Sequence, residues 1–346
     1  MVEVSIMNDQ IEKRKQAWVD FYDLSSPVNR LFHVEYPMDG IEAPLPWWDK
    51  MQEREDWSYA YYMRQLENMD KLHDDRVPYM PIQTGTEIFA EAFGSDVFYP
   101  TNSNPVARYL INDVSEFNKI KMPKLEDTKL MLLFDMADRL KARVGDDALF
   151  SLPDMQMPVD VAALIWNKTD FYMSMFDEEP AIRELTAMIR EFMFTFLDEW
   201  FRRYGRSFIG HFPRYYMPYG VTMSIDEIGI VSSEMYNSYF RDEIAAFSNR
   251  YGAIGIHCCA DSDHQWQNLT EIPNLKLLNF VRTEEATKRA INFFGGHVAQ
   301  LHETIVDIDD QPDAKKIHLA YYPMVSSFEE ALRVADEFNE KKEKMR

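Results

Sequence analysis

The most chemically loaded run in the chain is Ile254-Gly255-Ile256-His257-Cys258-Cys259-Ala260-Asp261. Alternation along a strand sends His257 and Cys259 to one side and Cys258 to the other. Imidazole and thiolate are both good ligands for a borderline-soft ion such as zinc. The same run also reads as a hydrogen-bonded histidine beside two packed thiols, with Cys258 buried against a helix. A second loaded region, 213–231, holds Arg214, Tyr215, Tyr216, Tyr219, Asp226 and Glu227. A connection of about twenty residues is longer than usual and favours a lid or pocket wall. Asp226 and Glu227 are candidate metal ligands or general bases, with a solvated turn as the plainer reading. Asp154 and Gln156 follow Phe150-Ser151-Leu152-Pro153, Asn279 lies in an apolar run, and His297 and His302 flank Val298 to Leu301. Each reads either as a group facing a site or as a hydrogen-bonded polar residue at a rim.

The elements that would position these groups follow from the apolar spacing. Strands are predicted over 77–82, 148–152, 207–212, 253–259, 275–281, 297–301 and 317–322, with 97–99 as a candidate eighth. Helices alternate with them. In 180–204 the apolar residues Ile182, Leu185, Ile189, Phe192, Phe196 and Trp200 recur every three or four positions. Another runs from Ser232 or Ser233 to Gly252, and a third opens with Ser327 and Glu330 in capping-box spacing. Alternating strand and helix predicts an α/β fold, a (β/α)8 barrel with an N-terminal helical extension. Chemistry would then sit at the carboxyl ends of the strands. No G-x-G-x-x-G or Walker loop is present, so nucleotide-cradling chemistry has no support.

Composition narrows the function classes. The 346 residues carry 37 basic and 58 acidic side chains, a formal charge of −21. Such a surface repels phosphate backbones and anionic lipid, so neither nucleic acid nor membrane is an expected partner. Hydrophobic residues make up 46%, ample for a core. The two cysteines are neighbours, and with no apolar signal core or bilayer-length run the chain is expected in a reducing cytoplasm.

Three stretches together resemble one family. Arg76 to Gly94, RVPYMPIQTGTEIFAEAFG, is similar to the segment that opens the barrel in the uroporphyrinogen decarboxylase family. Leu152 to Trp200, with Pro158-Val159-Asp160-Val161-Ala162 and the long helix, and Ser232 to Asp261, SSEMYNSYFRDEIAAFSNRYGAIGIHCCAD, resemble its later blocks. The resemblance implies a barrel over 76–346 with residues 1–75 packed on it as a helical and loop extension. It also implies one of two chemistries. The decarboxylases use an arginine-rich N-terminal motif that is missing here. The cobalamin-dependent methyltransferases move methyl groups between small substrates and a corrinoid protein, some with a zinc held by His-x-Cys and a distant second cysteine. His257 and Cys259 match the first two ligands; the distant cysteine is absent, and Ala260 replaces the following glycine.

By that resemblance the expected activity is transfer of a methyl group from a small donor, such as a methoxylated aromatic, to a corrinoid supplied by a partner protein. Zinc is the expected metal, held by His257 and Cys259 with Asp226, Glu227 or His302 completing the site. Asp226 and Asp154 are the expected catalytic residues, and Gln156, Tyr215, Tyr216, Tyr219 and Asn279 the expected substrate contacts. A porphyrinogen decarboxylase, which would need no metal, and a non-catalytic ligand-binding barrel are the alternatives. Dimers among the decarboxylases make a homodimer an expectation.

Overall fold

The helix Glu179–Tyr204 shows how directly apolar spacing becomes structure. Ile182, Leu185, Ile189, Phe192, Phe196 and Trp200 are all buried, and Pro180 sits in the first turn, where a missing N–H costs nothing. Arg202 and Arg203 face the negative helix end, and Gly205 (φ 88°) turns the chain away. The helix expected from Ser232 to Gly252 is two, Ser233–Tyr239 and Arg241–Tyr251, joined at Phe240. Ser232 Oγ accepts the Met235 N–H as the cap. In the last helix, Phe328–Met345, Ser327 Oγ accepts the Glu330 N–H while the Glu330 carboxylate reaches back to Ser326 rather than Ser327.

The computed structural model describes residues 2–147, 149–308 and 313–345. Ala148, the first residue of one predicted strand, lies outside them. Six strands form one parallel sheet: β1 Arg30–Phe32, β2 Val221–Ser224, β3 Ile254–Cys258, β4 Leu275–Phe280, β5 Ala299–His302 and β6 Leu319–Tyr321. Their order is β1-β6-β5-β4-β3-β2. All six are largely buried, which is why they read as apolar runs rather than alternating ones. The sheet also takes a strand, β1, from the segment expected to be a mere extension.

Four predicted strands behave differently. The 77–82 run joins through a single bridge, Met80 with Phe150, and Ser151 bridges Ile209. The 207–212 strand is reduced to Phe208–Ile209, which reverses into an antiparallel partner, Tyr216–Met217. Val97–Phe98 pairs antiparallel with Val106–Ala107, outside the main sheet. The structure is thus an α/β fold on a six-stranded parallel sheet. Among the described residues, the segments at Met80, Phe150–Ser151, Ile209 and Gln156 join their neighbours only through isolated parallel bridges.

Register decides which side chains share a face. Gly255 aligns with Leu277 and His257 with Asn279, while Ser224 aligns with His257 from the other side. On the opposite face Phe280 packs on Trp266 and Phe294, and Tyr321 on Phe338. The N-terminal helix Val2–Phe21 lies at the amino ends of the strands. There His318 Nδ1 contacts the Phe21 carbonyl and Tyr22 donates to the Tyr216 carbonyl. The N-terminal helix therefore packs across part of that end. Among the described residues no helix is long and apolar enough to cross a membrane.

Candidate metal centre

β3 delivers His257 to the carboxyl edge of the sheet, and Cys259 follows one residue past the strand. The turn Asp226–Ile230, just beyond β2, brings Asp226 over them. One ligand atom from each of Asp226, His257 and Cys259 lies within 4.8 Å of the other two. The Asp226 carboxylate is fixed by the Cys259 backbone N–H, which donates to Oδ1 at 2.6 Å. Of the two roles open to Asp226, metal ligand or general base, its place beside His257 and Cys259 suits the ligand.

His257 is held in one tautomer by its neighbour. Asn279 Nδ2 donates to the Leu301 carbonyl at 2.6 Å, which turns its Oδ1 toward the ring, 2.6 Å from His257 Nδ1. A carbonyl oxygen can only accept, so Nδ1 carries the proton and the Nε2 lone pair is free. Burial lowers the pKa of His257 below its usual value, against the Asn279 hydrogen bond, so the ring is neutral at neutral pH. Phe212 packs edge-on against this ring at 4.9 Å between centroids. Cys259 is exposed, and its thiol is pushed up to about 12 by burial of its immediate surroundings and by the charge of Asp226. Without a metal it is a thiol, not a thiolate.

One nitrogen, one sulfur and one oxygen donor with a position left over fit a catalytic rather than a structural zinc site. Asn279 supplies the outer hydrogen bond that such a histidine ligand needs. Asn279, expected to touch substrate, is therefore committed to orienting His257.

The other expected residues are dispersed. The Glu227 carboxylate is taken by Lys168 Nζ at 2.6 Å and by the Tyr172 hydroxyl, so it turns away from the cluster. His302 points to the opposite face of the sheet, its Nε2 3.1 Å from Gln300 Oε1, and Gln300 in turn bonds the Ile291 carbonyl. Burial depresses His302 to about 4. The reason is period two: β5 pairs so that residue 302 shares a face with Gln300, not with His257. Tyr215, Tyr216 and Tyr219 also lie elsewhere, because the reversal after Ile209 carries the chain back toward the amino ends. Tyr215 is buried against Trp18, with its hydroxyl beneath Gly255. Tyr219 lines a cavity of about 430 Å³ with Tyr22, Leu275 and His297, at the amino ends of β3, β4 and β5.

Asp154 and Gln156 do remain near the cluster. Gln156 bridges Ser224 on the strand beside β3, and its amide donates to the Asp154 carboxylate. Burial pushes Asp154 up to about 6, with Asp226 adding to the shift. Asp154 lines a small cavity with Thr84, His211 and Arg214. His211 reaches β2, 2.9 Å from Ser224 Oγ and 3.3 Å from Thr222 Oγ1, and burial with the nearby His257 lowers it to about 3. His211 and Phe212 were not singled out from the sequence, although they end a predicted strand and the carboxyl-end rule applies to them equally.

No family model matches the chain, and no curated protein matches it. Among solved structures it is similar to a methyltransferase from Methanosarcina mazei, with a TM-score of 0.65 over 93% of this chain and 98% of that one. The identity is 12%, so the likeness is one of fold.

Proposed function

We propose that the chain is the substrate-side methyltransferase of a corrinoid system, built as a (β/α)8 barrel, and that it moves a methyl group from a small methoxylated donor to a corrinoid held by a partner protein. The observation that carries the reading is the convergence of Asp226, His257 and Cys259 at the carboxyl edge of a parallel sheet. The fold-level likeness to a methyltransferase supports it.

Asp226, His257 and Cys259 would hold zinc, with Asn279 keeping the His257 Nε2 lone pair directed at the ion. When bound, zinc supplies a Lewis-acid contact to the donor oxygen as its bond to the methyl carbon breaks. The mixed oxygen, nitrogen and sulfur donor set leaves more positive charge on the ion than two thiolates would, which suits an ether oxygen rather than a thiol. Cys259 must lose its proton to become a ligand. Phe212 covers the ring of His257 and shields that side of the site from water. The difficult chemistry belongs to the partner's cofactor, and this chain contributes orientation and charge stabilisation.

The test is metal content and transfer together. Purified protein should hold about one zinc per chain, and His257→Ala should lose it. The zinc form should pass methyl groups from at least one of a panel of methoxylated aromatics to cob(I)alamin, read from the corrinoid absorbance, and His257→Ala should not. Protein that binds no metal, or a His257→Ala variant that transfers as well as the parent, overturns the proposal.

A further inference from the structure

Arg214 is anomalous. It follows the cis Phe212–Pro213 bond and sits deep in the structure, partly accessible, on the wall of the cavity shared by Asp154, His211, Thr84 and Gln83. It makes no hydrogen bond or ion pair with any described residue. A guanidinium in such a place is normally paired, because an uncompensated buried charge is costly.

None of its neighbours pairs with it directly. Tyr79 is its strongest electrostatic neighbour, followed by Tyr61, Glu35 and Arg76. Tyr79 is buried with an unpartnered hydroxyl, and burial holds its pKa well above the usual phenol, so it is neutral. Glu35 is the one carboxylate among these neighbours, and it already faces Arg76 at 3.4 Å and His33 at 3.5 Å. Arg76, which also has Asp74 at 3.8 Å, therefore holds Glu35 as well, and Arg214 is left without a carboxylate contact. In a chain of net charge −21 the unpaired cation stands out further.

The cavity at Arg214 is about 40 Å³, room for two or three waters or a carboxylate group, not for a whole ring. It adjoins the metal centre through β2: His211 on its wall is 2.9 Å from Ser224 Oγ, and Ser224 aligns with His257. Phe212, two residues before Arg214, rests on the His257 ring and is well exposed.

We infer that Arg214 is the seat for a carboxylate on the methyl donor, so that the substrate is an anionic methoxylated acid. The acid group enters the small cavity and makes a charge-assisted, two-pronged contact with the guanidinium. The rest of the donor lies along Phe212 toward Asp226, His257 and Cys259. Asp154 is the one carboxylate on the cavity wall; its bond to Gln156 holds it, and its charge confines the ligand's anion to the Arg214 side. The inference deepens the methyl-transfer reading and rests on it for the donor's role, but its test contains neither metal nor corrinoid, so the two can fail separately.

The probes are 4-methoxybenzoate and its neutral isostere 4-methoxybenzamide, titrated into metal-free full-length protein by ligand-observed NMR and by thermal melting. The acid should bind at least about tenfold more tightly than the amide and alone raise Tm. Arg214→Met should erase that preference without lowering the Tm of the ligand-free protein, since no contact is lost. Arg214→Lys, which keeps the charge but not the fork, should retain only part of it. Equal binding of acid and amide, binding of neither, or a preference that survives in Arg214→Met overturns the inference. So does an Arg214→Met variant that melts markedly lower or fails to fold, because Arg214 would then be structural.

Discussion

Asn279 offers the sharpest test of how the metal centre is built. It is fully buried, with Nδ2 on the Leu301 carbonyl and Oδ1 on His257 Nδ1, both at 2.6 Å. Asn279→Ala removes the acceptor that fixes the ring's tautomer and orientation. Loss of such an outer partner lowers metal affinity by about 10- to 100-fold, equivalent to roughly 1.4–2.7 kcal/mol. It also leaves the Leu301 carbonyl unpaired, at a stability cost of about 1–3 kcal/mol. Asn279→Asp separates the two effects. Its carboxylate still accepts from Nδ1–H but cannot donate to Leu301, so most of the metal affinity returns while the stability loss remains. The assay is titration with cobalt(II), following the thiolate-to-cobalt absorption that Cys259 would give, alongside thermal melts. The reasoning is refuted if Asn279→Ala binds cobalt as well as the parent, or if Asn279→Asp binds it no better than Asn279→Ala.

Three further outcomes follow from particular groups. Zinc uptake at neutral pH should release about one proton, from the Cys259 thiol held near 12, with none from the already neutral His257; apparent affinity should fall about tenfold per unit of acidification. Calorimetry in buffers of different ionisation enthalpy measures this, and zero release would contradict it. Glu87 is buried, and burial raises its carboxyl from 4.5 to about 7, with one oxygen unpartnered. A raised carboxyl stabilises the fold below its unfolded value and loses that contribution as pH rises through 7. Glu87→Gln should therefore melt a few degrees above the parent at pH 8, a gain of up to about 3 kcal/mol, and show no gain at pH 4; equal gains at both pH values would refute the assignment. A Cβ on Gly255 would lie 2.1 Å from the hydroxyl and 3.2 Å from the ring carbon of the fully buried Tyr215, so Gly255→Ala should cost about 1–3 kcal/mol in chemical denaturation. Adding Tyr215→Phe should recover part of that loss, and no recovery would place the strain elsewhere.

Much of this protein is legible from local pattern. Three- and four-residue spacing specified the helix Glu179–Tyr204, and Ser232 and Ser327 marked real helix starts. Alternation set His257 apart from Cys258, whose thiol instead meets Ser262. These are properties of a few adjacent residues, and backbone geometry alone enforces them. The assignments that moved depend on residues far apart in sequence. Only β-sheet register decides that His302 shares a face with Gln300, that Asn279 stands beside His257, and that Asp226 reaches across from the neighbouring strand's turn. Only the reversal after Ile209 takes Tyr215 and Tyr219 to the amino ends of the strands, and it leaves Arg214 without a partner among the described residues. Strand pairing carries a period-two ambiguity that one residue of slip inverts, and nothing within a single strand's sequence resolves it. Neighbouring residues specify the kinds of element and supply the donor atoms; the pairing of distant strands decides which donors meet.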